Sequence, residues 1–67
     1  MTVTKDTIIG DVLAADHGTA PYFQEMGMHC LGCPNARSET VGEACAVHAV
    51  DCDALLAKLN AHFAAAQ

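Results

Sequence analysis

At 67 residues the chain is one small domain, residues 1–67, because a single core of this size hides only roughly 60% of the surface its unfolded chain exposes. Eight acidic residues against three bases, Lys5, Arg37 and Lys58, give a formal net charge of -5, which leaves no basic stripe for phosphates and argues against nucleic-acid binding. Residues 1–6 contain neither a basic nor an apolar targeting region, and no apolar run approaches the roughly 18 residues of a membrane span, so the expectation is a cytoplasmic protein without membrane contact.

Apolar residues make up 52% of the chain and aromatic ones only 4%. Ala, Leu, Ile and Val supply most of the apolar share, which predicts thin, closely packed helices in place of a broad sheet. Helix one is expected to start at Thr7, with its hydroxyl as cap, and to turn Ile9, Val12 and Leu13 to one face. His17 and Gly18 would end it, Gly18 supplying a positive φ. Helix two starts at Thr19, Ala20 and Pro21, with proline in its tolerated first turn. Phe23 and Met26 mark its inner side, Gly27 stops it, and Met28 is placed to fold back on the core.

Residues 34–38 read as polar and aperiodic. Thr40, Val41, Gly42 and Glu43 then have the form of a capping box opening helix three. Val41, Ala44, Cys45 and His48 share one face of that helix at i, i+3, i+4 and i+7. Asp51 caps helix four, where Cys52, Leu55, Leu56, Leu59 and Phe63 repeat at helical spacing and Asp53 suits the positive end of the dipole. The segment Thr2-Val3-Thr4 is the only extended candidate, and residues 64–67 are expected to fray. The predicted architecture is all-α: a four-helix miniature of two helical hairpins, with a C-x-x-C in the loop between helices two and three.

That motif, His29-Cys30-Leu31-Gly32-Cys33-Pro34, carries the chemistry. Four cysteines without an export signal point to redox work or metal binding, not to a secreted disulfide framework. Gly32 permits a turn that brings Cys30 and Cys33 within disulfide reach. As a staple such a bond is weak: the loop-entropy model gives a four-residue ring about 2 kcal/mol, against about 3.4 kcal/mol for a bridge from Cys30 to Cys52. Pro34 favours a helical turn whose backbone N–H groups support a thiolate, and His29 or Arg37 can add positive charge. An accessible thiolate beside a resolving thiol is the minimum equipment for dithiol-disulfide exchange.

Metal binding is the competing reading. Cys30 and Cys33 have zinc-like spacing, with Cys45, His48 and Cys52 as candidate further ligands, although Cys45 and Cys52 also fit as core filler on their apolar stripes. Zinc, iron or an iron-sulfur cluster shared across a homodimer, with each chain giving Cys30 and Cys33, would complete a four-thiolate site. His17 and His62 are assigned to surface structure at helix ends. No paired general acid and base, no Ser-His-Asp set and no phosphate-cradling glycine loop is found, so no catalytic constellation exists beyond the C-x-x-C.

Thr19-Ala20-Pro21-Tyr22-Phe23, the stretch from Gly27 to Pro34, Glu39-Thr40-Val41-Gly42-Glu43-Ala44 and Asp51-Cys52-Asp53-Ala54-Leu55-Leu56 together resemble the hybrid-cluster-protein-associated redox disulfide domains, a small family of unknown function. The resemblance spans nearly the whole chain. It implies a helical domain, a redox-active pair at Cys30 and Cys33 supported by His29, Gly32 and Pro34, and a larger redox or hybrid-cluster-type protein as partner. A more remote similarity to the N-terminal domain of iron-sulfur cluster repair proteins keeps iron handling as an alternative. Cys45 and Cys52 lie beyond the family pattern. The expected function is a thiol-disulfide or electron-relay module with Met28, Leu31 and Phe23 as docking rim; the alternative is a metal or cluster chaperone, or a protein-interaction domain, using the same loop.

Overall fold

The computed structural model describes residues 1–28 and 37–65. Among them are helices α1 (Ile9–Ala15) and α2 (Ala20–Glu25), joined by a 3-10 turn (His17–Thr19), and helices α3 (Val41–His48) and α4 (Cys52–Ala65). The described residues form no strand; a single isolated antiparallel bridge joins Ile8 and Thr40. The all-α expectation holds.

The bridge explains where the first helix begins. Ile9 N–H donates to the Glu39 carbonyl and Val41 N–H to the Thr7 carbonyl, both at 2.9 Å, so the starts of α1 and α3 lie side by side and supply each other's unpaired backbone donors. Thr7 is not the helix cap that was expected. Ile8 occupies the cap position without a side-chain bond, while the Thr7 hydroxyl accepts the Thr4 N–H at 2.9 Å. A threonine already closing its own turn is not available to a helix. The start of α3 is fully provided for: Gly42 N–H reaches the Lys5 carbonyl at 2.9 Å, and Glu43 N–H reaches the Thr40 hydroxyl at 3.1 Å. That hydroxyl donates in turn to Glu43 Oε1 at 3.1 Å, a variant of the expected capping box.

Helix α1 ends at Ala15, earlier than His17 and Gly18 suggest, and Gly18 is not in the left-handed region. Asp16 decides this. Its backbone is extended, at φ -157°, and its carboxylate Oδ1 accepts the Gly18 N–H at 2.8 Å. The aspartate starts the 3-10 turn instead of letting glycine close the helix. Thr19, fully buried, returns its hydroxyl to the Asp16 carbonyl at 2.8 Å.

Gly27 stops α2 as expected, at φ +103°. Its N–H bonds the Gln24 carbonyl at 3.0 Å and the Met28 N–H bonds the Phe23 carbonyl at 3.1 Å, the two rings of a Schellman motif, with Met28 buried as the hydrophobic partner. α3 ends the same way without a glycine. Ala49 takes the left-handed conformation at φ 54°, and Val50 N–H reaches the Cys45 carbonyl at 2.9 Å. Asp51 then starts α4, its Oδ1 accepting from Asp53 N–H at 3.1 Å and Ala54 N–H at 3.4 Å. α4 continues to Ala65, so the helical course covers two of the four residues expected to fray.

The core takes Ile9, Val12 and Leu13 from α1, Phe23 from α2, Val41, Ala44 and Cys45 from α3, and Leu55, Leu59 and Phe63 from α4. Each helix turns its predicted stripe to this core, but Met26, Cys52 and Leu56 only pack at its edge and His48 is half-buried. Val3 joins this core, 2% exposed, although no strand forms around it. Asn60 takes the place of a strand partner. Its side-chain Oδ1 accepts the Val3 N–H at 2.7 Å and its Nδ2 donates to the Val3 carbonyl at 3.1 Å, satisfying both backbone groups of a buried residue.

Candidate functional site

Cys30 and Cys33, with His29, Leu31, Gly32 and Pro34, lie outside the described residues, but both flanks of this segment are described. On the near side, Met28 is buried and tied to Phe23 through the Schellman ring. On the far side, Arg37 and Ser38 are helical, not the aperiodic chain expected of residues 37 and 38. The Arg37 backbone lies directly on α1: a Cβ at Gly10 would stand 2.8 Å from the Arg37 carbonyl oxygen. Only glycine permits that approach without a shift. Two residues on, Glu39 is bonded to Ile9. The described chain is therefore seated on α2 at Met28 and on α1 from Arg37 to Glu39, the residues on either side of 29–36.

The proposed docking rim is corrected by burial. Phe23 is fully buried and Met28 5% exposed, because both close the α2 Schellman contact, so neither offers surface to a partner; Leu31 is outside the described residues. Arg37 itself is exposed.

His48 stands at the root of the segment. Its Nδ1 is 3.4 Å from the position of a Gly27 Cβ, which places a half-buried imidazole beside the turn that leads to His29 and Cys30. Helix α3 puts it there through the same i, i+3 register that buries Cys45. Among the described residues no three His, Cys, Asp or Glu side chains are grouped to hold a metal ion. Cys45, His48 and Cys52 thus form no metal site by themselves.

The core-filler reading holds for Cys45, 3% exposed, whereas Cys52 is half-buried. Their shared place at the α3–α4 corner, Cys45 in the core and Cys52 packed against it, does not follow from spacing alone. Burial pushes the Cys45 thiol up from 9.0 to about 11, and the neighbouring Cys52 thiol adds to this as hydrogen-bond partner and as a potential like charge.

A second polar cluster was missed because it joins distant positions. His62 Nε2 lies 2.9 Å from Asp16 Oδ2, and its Nδ1 lies 3.3 Å from the Tyr22 hydroxyl. His62 is not a free surface residue at a helix end; it ties α4 to the 3-10 turn and to α2. The Gly18 N–H first, and His62 second, hold the Asp16 carboxyl below its ordinary 3.8. Beside this cluster a groove of about 250 Å³ runs between α2 and α4, lined by Tyr22, Met26, Val50, Leu55 and the charged Glu25 and Lys58, among others. That is below the usual ~300–1,000 Å³ of small-molecule sites.

The matched family model covers residues 3–56, from the buried Val3 into the first turns of α4. The chain belongs to the family described as domain of unknown function DUF1858. An NMR solution structure of a Clostridium thermocellum protein, a structural-genomics target, is 56% identical, covers 94% of this chain and 90% of its own, and superposes with a TM-score of 0.80. No curated protein matches the chain. Membership of DUF1858 agrees with a small helical domain. Among the described residues no helix is long and apolar enough to cross a membrane.

Proposed function

We propose that this DUF1858 domain is a cytoplasmic thiol-disulfide exchange or electron-relay module, in which Cys30 and Cys33 cycle between dithiol and disulfide. The observation that supports it best is the seating of both described flanks of the motif: Met28 is bonded to Phe23, and the Arg37 backbone lies on Gly10. In general, thiols on a chain whose ends are already fixed lose less entropy on closing a ring than thiols on a free chain. His48 beside Gly27 places an imidazole at the root of the segment. The acidic surface suits a partner with a basic face, and the resemblance to redox disulfide domains points to a larger redox protein of hybrid-cluster type.

Redox equilibration against glutathione, read by the mass of peptide 6–37 after thiol trapping and cleavage at Lys5 and Arg37, tests the reading. A loss of two hydrogens assigned to Cys30 and Cys33, abolished by Cys30→Ser or Cys33→Ser, is expected. A potential and partner binding unaffected by either substitution would refute it, as would stoichiometric zinc or iron bound through the same two cysteines in freshly purified protein.

A further inference from the structure

The corner between α3 and α4 holds another pair of thiols. The ring closed by Val50 N–H on the Cys45 carbonyl, at 2.9 Å, turns the chain directly back over Cys45. Asp51 then starts α4 with Cys52 as its first residue. Two cysteines seven positions apart are thereby brought to one corner, Cys45 inside the core and Cys52 packed against its edge, with the Cys52 thiol a neighbour of the Cys45 thiol; both are free thiols. A disulfide needs Cα atoms within about 7 Å and converging side chains, and the turn between the two helices is carried by residues 49–51, outside either of them.

We propose that Cys45 and Cys52 are a second redox dithiol, oxidised by low-molecular-weight disulfides of the glutathione class through attack by Cys52. The Cys52 thiolate attacks one sulfur of oxidised glutathione, expels one glutathione thiolate and keeps the other half as a mixed disulfide. Cys45 then loses its proton to solvent and attacks the Cys52 sulfur, which breaks the mixed disulfide, releases the second glutathione thiolate and closes the protein disulfide. The two protein thiols give up two electrons and two protons; oxidised glutathione takes them up as two thiols. Burial sets the order. Cys45 is 3% exposed and closed to a tripeptide disulfide, whereas Cys52 is half-buried at the surface of α4. The raised titration of Cys45, to about 11, makes the second step slow at neutral pH, so the Cys52 adduct accumulates before the ring closes.

The chain's own bases make the test clean. Cleavage after Arg37 and Lys58 places Cys45 and Cys52 on the peptide 38–58, while Cys30 and Cys33 remain on 6–37, so the outcome is independent of any reaction of the C-x-x-C. Native protein is exposed to oxidised glutathione, free thiols are alkylated in acid, and the digest is read by mass over time. The expected result is a glutathione adduct on Cys52 that gives way to a 38–58 peptide lighter by two hydrogens. In Cys45→Ala the adduct should persist, and in Cys52→Ala the peptide should stay unmodified. Three results in the unmutated protein would each overturn the proposal: a 38–58 peptide that never reacts, an adduct that never closes, or a disulfide joining 38–58 to 6–37. These need no variant, so a substitution that fails to fold leaves the test decisive.

Discussion

Gly10→Ala sets two opposed effects against each other at the anchor of the C-x-x-C segment. Gly10 is the second residue of α1, and alanine in a helix is worth about 0.5–1 kcal/mol over glycine. Against this, the new Cβ would meet the Arg37 carbonyl oxygen at 2.8 Å and the Arg37 Cβ at 3.4 Å. A backbone oxygen cannot rotate away, so either α1 or the chain from Arg37 to Thr40 must shift, and the Ile9–Glu39 bond lies in that same contact. Overpacking of this kind costs about 1–3 kcal/mol, which leaves a net loss of about 0–2.5 kcal/mol. At 4–8 °C per kcal/mol for a domain of this size, Tm should fall by up to roughly 20 °C. Urea unfolding followed by circular dichroism should show a lower midpoint with an unchanged m-value. Gly42→Ala is the control: its Cβ would stand 3.1 Å from the Lys5 carbonyl oxygen and 3.2 Å from the Lys5 Cβ, so its loss should be smaller. A Gly10→Ala protein more stable than the unmutated chain would refute the seating of Arg37 on α1.

Asn60→Leu should cost about 1–3 kcal/mol, because it strips both partners from the buried Val3 backbone; urea unfolding measures it, and loss of Val3 amide protection in hydrogen exchange identifies the cause. The Asp16 carboxyl is held below its ordinary 3.8 by Gly18 and then by His62, so its charged form stabilises the fold above that value and the contribution is lost as pH falls through the lower folded value. Unmutated protein and Asp16→Asn should therefore differ at neutral pH and converge in acid, and parallel curves would remove Asp16 from the account. Cys45 has the opposite sign: its folded value is raised from 9.0 to about 11, so the stability held by the neutral thiol is complete below 9.0 and lost as pH climbs through 11. Relative to Cys45→Ala, the unmutated protein should lose about 1–3 kcal/mol over that window, measured by urea midpoints at several alkaline pH values.

Much of the fold was legible because its determinants are local. The apolar stripes of α1, α3 and α4 follow from spacing, the Thr40 and Asp51 caps from hydroxyl and carboxylate chemistry, and the stop at Gly27 and Met28 from the need for one positive φ followed by an apolar residue. The errors fall where a distant residue takes over a group that local reasoning had assigned. Thr7 lost its cap role to a turn with Thr4 and a backbone bond to Val41. Gly18 yielded to the Asp16 carboxylate, and Val3 needed Asn60, 57 positions away. Ala49 gave no glycine signal, although its φ is 54°; the mark that remains is Val50 followed by Asp51, an apolar closure and then a cap. The meeting of Cys45 with Cys52 depends on that corner and was hidden with it.

The two dithiols stand in different relations to the fold. The anchors of the first are made by residues outside 29–36: Phe23 and Gly27 on one side, Gly10 and Ile9 on the other. Those contacts are made without Cys30 or Cys33. Cys45 and Cys52 have no such separation, since one is a core residue and the other begins α4. Closing their eight-residue ring removes unfolded-state entropy worth about 2.5 kcal/mol by the loop-closure model. In a thermodynamic cycle, whatever stability the disulfide adds to the fold must lower its reduction potential in the folded protein relative to the unfolded chain by the same free energy. For a two-electron couple, 2.5 kcal/mol corresponds to about 50 mV. A folded Cys45–Cys52 pair is thus a better reductant than the same two thiols in an unfolded peptide, and any strain the corner imposes on the bond subtracts from that difference.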